Sequence, residues 1–333
     1  MRDFRCPACG QQLAFENSQC LNCGSHLGFD VDLVEFRAVD DRGATTDGSA
    51  RRVCANAPVA RCNWLAAESA EAGLCLSCSL TRTRPADGDA VGLPAFAAAE
   101  AAKRRLVVEL TELGLPIVGR DADPDTGLAF DLLSSEQERV MTGHADGVIT
   151  LDLAESDDAH REQLRKAMDE PYRTLLGHFR HEIGHYYWMV LVGDGPARAE
   201  FEELFGDPDA DYQAALDRHY SQGAPDGWSE RYVSSYATMH PAEDWAETFA
   251  HYLHIRDTLD TAAAFAMAPA AATLTARVPG DAGLAHLLEL WTPLTWSLNM
   301  INRSMGHADL YPFVLPPAVV RKMQLVHRLI AGE

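Results

Sequence analysis

No stretch of the 333 residues approaches the 18 or more consecutive apolar residues of a membrane-spanning helix. The Ala-rich run from Thr261 to Ala276 comes nearest, and Pro269 interrupts it. The N-terminal MRDFRCPACG lacks the apolar core of a secretory signal. Positive charge is scarce: 28 Lys and Arg stand against 49 Asp and Glu, a formal net charge of -21. Nucleic acids and anionic membrane surfaces would repel such a chain, so neither is an expected partner. Cysteine is absent from the 255 residues after Cys78. Disulfides belong to oxidising compartments, so eight cysteines crowded into the first 78 residues, with no secretory signal, read as metal thiolates in a reducing cytoplasm. What remains, 47% hydrophobic and 23% charged, suits a globular protein.

The composition changes near Pro85, where TRTRPADGDAVGLP precedes an Ala-rich helical pattern from about Ala95. This predicts a cysteine module over residues 1–90 and a larger domain over 91–333. The module holds nine basic and twelve acidic residues, so most of the negative charge sits on the larger domain. Helical periodicity covers about 95–113, 158–168, 172–192, 197–205, 209–220, 241–256, 282–303 and 316–331, whereas 128–133 and 147–153 alternate as strands do. The larger domain is therefore expected to be α+β, mostly helical with a small mixed or antiparallel sheet. The strand at 147–153, with Ile149, Leu151 and Leu153 on one face, is the candidate to hold an extended peptide by strand addition.

Cys6-Pro-Ala-Cys9 and Cys20-Leu-Asn-Cys23 are two CxxC knuckles ten residues apart, the arrangement in which two tight turns give four thiolates to one tetrahedral zinc. Gly10 and Gly24 follow the second cysteine of each, where the backbone must turn. Cys54, Cys62, Cys75 and Cys78 are spaced irregularly and predict a second four-thiolate zinc site. Both sites are closed and structural in this reading, because a module of about 90 residues with few large apolar side chains needs metal staples. The module's role is then to bind a protein partner or to shield the larger domain, and its net charge offers no basic footprint for nucleic acid.

The chemistry points to His181-Glu182-Ile183-Gly184-His185, an HExxH inside a helical segment. A spacing of four puts both imidazoles on one helix face, where they can bind one Zn²⁺, with Glu182 beside the ion to take a proton from its water. Neutral ligands leave the ion enough charge to bring that water's pKa toward about 7. A third ligand must come from elsewhere. In YATMHPAEDWAETFAHYLHI, Pro241 suits a helix start, and Glu243, Glu247 and His251 follow at intervals of four. Spacing alone does not choose among them. Because one ligand suffices and a ligand histidine needs a partner for its other nitrogen, Glu243 is assigned as ligand and Glu247 as that outer partner. His178, His240, His251 and His254 read as packing or outer residues, and Tyr186, Tyr187 and Trp188 as core. Gly177 and Gly184 each cost the helix roughly 1 kcal/mol relative to alanine and point to close backbone packing near the metal.

HFRHEIGHYYW together with YATMHPAEDWAETFAHYLH resembles the zinc-binding metallopeptidases of bacteria that carry an N-terminal zinc-ribbon domain, and the likeness includes CNWL and the CxxC pairs. HExxH followed by Y-x6-E-x3-E is more distantly similar to the lethal-factor branch of the gluzincins. The resemblance implies a zincin-like fold, zinc held by His181, His185 and Glu243, Glu182 as general base and Tyr236 as the donor that stabilises the oxyanion. The 57 residues between His185 and Glu243 leave room for an inserted helical pair. The resulting expectation is a cytoplasmic zinc endopeptidase with one catalytic and two structural zinc ions, acting on a peptide or protein. The competing expectation is a zinc-stapled adaptor whose HExxH domain does no catalysis.

Overall fold

Short antiparallel pairs present the cysteines. In the computed structural model, which describes residues 1–135, 140–157, 174–273 and 278–333, β1 (Phe4–Arg5) pairs with β2 (Gln12–Leu13) and encloses the first knuckle. β3 (His26–Asp30) pairs with β4 (Glu35–Val39), and β5 (Arg51–Val53) with β6 (Leu65–Ala67). The large apolar side chains of this region are few, but they are gathered: Phe4, Phe15, Phe29, Phe36 and Trp64 form one aromatic cluster with ring centroids 4.9–6.3 Å apart. The module thus has an apolar core besides its sulfur clusters. Gly28 permits it, since a Cβ there would lie 2.3 Å from Leu65 Cδ2.

The chain forms two compact units, Met1–Met168 and Asp169–Glu333, so the composition change near residue 90 falls inside the first. Two short helices, α1 (Ala57–Ala60) and α2 (Leu76–Ser79), pack on α3 (Gly92–Leu113), whose buried Phe96, Ala99, Leu106, Val107, Leu110 and Leu113 recur at helical spacing. β7 (Thr81–Thr83), β8 (Ala129–Leu133), β9 (Gly143–Ala145) and β10 (Val148–Asp152) make one mixed sheet in the order β7-β8-β10-β9. β10 runs parallel to β8 along its length and antiparallel to β9 at Val148–Thr150. This overturns the strand-addition expectation: the strand proposed to receive a peptide is interior, its hydrogen bonds taken on both sides over those residues. The helix expected at 158–168 lies outside the described residues.

The second unit is helical: α4 (Leu175–Leu191), α5 (Arg198–Phe205), α6 (Tyr212–Gln222), α7 (Pro241–Ala264), α8 (Gly280–Ser304) and α9 (Pro317–Ala331). Caps set the important ends. Thr174 accepts from Gly177 N at 2.9 Å to start α4, and His240 Nδ1 accepts from Ala242 N at 3.1 Å ahead of Pro241. The helix expected over 241–256 continues to Ala264: Arg256 donates to Thr273 O, Asp257 accepts from Arg180, and Leu259 and Ala262 stay buried. Among the described residues, no helix is long and apolar enough to cross a membrane.

Candidate metal centre

The centre forms where α4 crosses α7. Gly184 faces Ala246 so closely that a Cβ on it would lie 3.0 Å from Ala246 Cα, and the Trp245 indole N–H donates to Gly184 O at 2.9 Å. Tyr187 stacks on Phe249 at 5.5 Å behind the crossing. With its backbones pressed together here, α7 presents Glu243 and Glu247, one turn apart, to His181 and His185, one turn apart on α4.

His181 Nδ1 lies 2.8 Å from Glu247 Oε1, and Glu247 Oε2 accepts from the Ser234 hydroxyl at 2.6 Å. His181 Nε2 lies 3.0 Å from Glu243 Oε2 and 3.3 Å from His185 Nε2, itself 3.5 Å from Glu243 Oε1. With the Nδ1 proton given to Glu247, a neutral His181 turns its Nε2 lone pair toward those acceptors. In that form a cation among them would satisfy these close acceptors. Two ligand nitrogens about 2.05 Å from a tetrahedral ion stand about 3.3 Å apart, which is the separation of the two imidazole nitrogens. One ligand atom from each of His181, His185 and Glu243 lies within 4.8 Å of the others, so the donor set fits zinc.

Without an ion, a proton takes the cation's place. Burial opposes charging His181, but Glu243 and Glu247 outweigh it and hold its pKa well above the ordinary imidazole value. Burial likewise works against the Glu243 carboxylate, yet the two histidines hold its pKa well below the usual range; Glu247 is brought down to about 2 against its own burial, chiefly by His181. Glu182 is buried, and among the described residues its Oε2 has no hydrogen-bond partner. Such an orphan costs about 1–3 kcal/mol or more. Tyr236, on the turn before α7, has its ring centroid 5.9 Å from that of His181. Burial first and then the charge of Glu243 push its phenol far up, so it keeps its proton.

The thiols form two clusters. Sγ atoms lie 3.7 Å apart for Cys6 and Cys23, 3.6 Å for Cys9 and Cys20, and 3.7 Å for Cys62 and Cys75. A disulfide needs about 2.05 Å, whereas thiolates about 2.3 Å from a tetrahedral ion stand about 3.7 Å apart. Gly10 and Gly24 take φ of 75° and 74°, which closes the knuckles. Hydrogen bonding to Ser25 draws the Cys23 thiol down to about 6, toward the ligand form. Cys54, Cys62, Cys75 and Cys78 are all buried and converge likewise.

Residues 92–329 match the family described as "Putative zinc-binding metallo-peptidase", and residues 3–89 match a zinc-ribbon domain. The chain belongs to this metallo-peptidase family. This family member is similar, at 60% identity over 331 residues, to Uncharacterized protein Rv2568c of Mycobacterium tuberculosis and Uncharacterized protein Mb2598c of Mycobacterium bovis; the likeness covers 99% of this chain and 95% of each relative. No solved structure matches it.

Two residues of the centre escaped the sequence reading. Tyr212 O–H donates to Glu243 Oε1 at 3.0 Å from the start of α6, and Ser234 anchors Glu247. Neither falls in a motif. His251, the third candidate at the same spacing, instead lies 2.7 Å from Tyr311 OH, outside the cluster. His254 meets Arg180, and His240 caps α7.

Proposed function

We propose that the protein is a zinc peptidase that hydrolyses peptide bonds, with one zinc held by His181, His185 and Glu243 and two structural zinc ions held by the cysteine clusters. When bound, the zinc supplies a Lewis acid that polarises a carbonyl and lets a water give up its proton near neutral pH. Glu182 takes the proton of the attacking water on its unpartnered oxygen and returns it to the leaving amine. Tyr236, which keeps its proton, donates to the carbonyl oxygen as negative charge builds there. Glu247 fixes the tautomer of His181 and aims its Nε2, while Ser234 steadies Glu247.

One observation carries the reading: two imidazole nitrogens and a carboxylate converge at tetrahedral spacing, and Glu182, next in sequence to His181, has a buried carboxylate oxygen with no partner among the described residues. Glu182→Gln tests it on a library of peptides with zinc measured in parallel. The third zinc is expected to stay while turnover falls at least about a hundredfold, the scale of a lost general base. Undiminished hydrolysis by this variant would remove Glu182 from the reaction. A wild-type chain that cleaves no peptide would favour the adaptor alternative.

A further inference from the structure

The helical pair between the two halves of the motif does more than fill the interval. α6 begins at Tyr212, capped by Asp211, whose carboxylate accepts from Ala214 N at 3.0 Å. The side chain of Tyr212 is substantially exposed at 43%, yet its hydroxyl reaches the carboxylate of Glu243, a residue only 2% exposed. A tyrosine placed for packing would bury its ring and leave the hydroxyl to water; this one does the reverse. Its approach is also fixed. The Tyr212 ring lies 5.3 Å from that of His240, whose Nε2 meets Ala210 O at 3.0 Å while its Nδ1 caps α7. His240 therefore ties the residue two before Tyr212 to the helix end three residues before Glu243. Pro241 and Gly206 touch beside this tie, where a Cβ on Gly206 would lie 3.3 Å from Pro241 Cγ.

We infer that Tyr212 is a positioning residue for the metal centre: it holds Glu243 by Oε1, so that the carboxylate meets the ion through Oε2, the oxygen beside His181 Nε2. The inference rests on the metal reading of His181, His185 and Glu243. A hydrogen bond to a charged acceptor is worth more than a neutral one, about 1.5–3 kcal/mol, enough to select one orientation of a carboxylate. By drawing charge from Glu243, Tyr212 also leaves more positive charge on the ion.

The test uses the full chain and the metal alone. Zinc affinity of the His181/His185 site is measured by competition with a chromophoric chelator for wild type, Tyr212→Phe and Tyr236→Phe, and cobalt spectra are taken as differences against a His181→Ala, His185→Ala variant. Tyr212→Phe is expected to weaken zinc by about tenfold or more, as loss of a ligand's outer partner does. Its cobalt bands are expected to weaken in intensity, because a freed Oε1 lets Glu243 close on the ion with both oxygens. Tyr236→Phe is expected to leave affinity within about twofold of wild type. Wild-type affinity in Tyr212→Phe overturns the inference. So does weaker binding with unchanged cobalt bands, which would mark a merely structural residue. If wild type holds no ion that the double histidine variant loses, the metal reading itself fails, and the Tyr212 assignment falls with it.

Discussion

At the scale of single residues, the motif spacing leads to His181 and His185, the need of a ligand histidine for an outer partner leads to Glu243, and the structure brings these three together. Glu247 and His251 offered the same spacing on α7, and position along the axis separates them: each step of four residues advances about 6 Å while turning only about 40°, which brings Glu247 to His181 Nδ1 and carries His251 on to Tyr311. Tyr212 and Ser234 were illegible because their reach depends on how a loop and an inserted helix return to α7, which no local pattern encodes. The charges at the centre yield a pH prediction. In the ion-free protein, Glu243 and Glu247 raise the pKa of His181. The imidazolium therefore stabilises that form fully below the ordinary histidine value of about 6.5, and the contribution is lost as pH rises through the raised value. Zinc must displace this proton, so apparent zinc affinity is expected to climb with pH across that window and flatten above it. Chelator competition across pH checks this; an affinity independent of pH would place the proton elsewhere. Glu247→Ala is expected to weaken zinc by about 10–100-fold in the same assay.

At the scale of elements, periodicity located the long helices well because each buries one face. It failed at ends. α7 runs eight residues past the expected end at about residue 256, where tertiary partners engage Arg256 and Asp257. The strand at 147–153 was recognised by alternation, but alternation is silent on which side of a sheet a strand sits, and β9 takes the place assigned to a peptide. Gly184 was suspected of close packing, and its contact with Ala246 accounts for it. Gly184→Ala sets two effects against each other. Helix propensity gains about 1 kcal/mol, while forcing a methyl onto backbone that cannot recede costs typically 1–3 kcal/mol. The second wins: the variant is expected to lose about 1 kcal/mol in denaturant unfolding, with weaker zinc because the crossing sets the ligand spacing. A more stable variant would mean that the helices can part freely.

At the scale of the whole chain, the change of composition near residue 90 falls where the two family matches, 3–89 and 92–329, meet, and packing crosses it. β7 precedes that point and pairs with β8, Arg82 donates to Asp131 across the same strands, and α3 packs on α1 and α2. A chain beginning at residue 91 would expose the edge of β8 and an apolar face of α3, so it is expected to aggregate or to unfold at lower temperature than the full protein, as thermal unfolding by circular dichroism would register. A fragment of undiminished stability would show that those contacts contribute little.

The central claim is that this chain holds three metal ions by three separate donor sets, one of them open to chemistry. Metal analysis of the purified full-length protein tests it most directly. Three zinc ions per chain are expected, falling to two when His181 and His185 are both replaced by alanine. An unchanged count in that double variant would contradict the account, because the ion on which peptide hydrolysis depends would not be where His181, His185 and Glu243 converge.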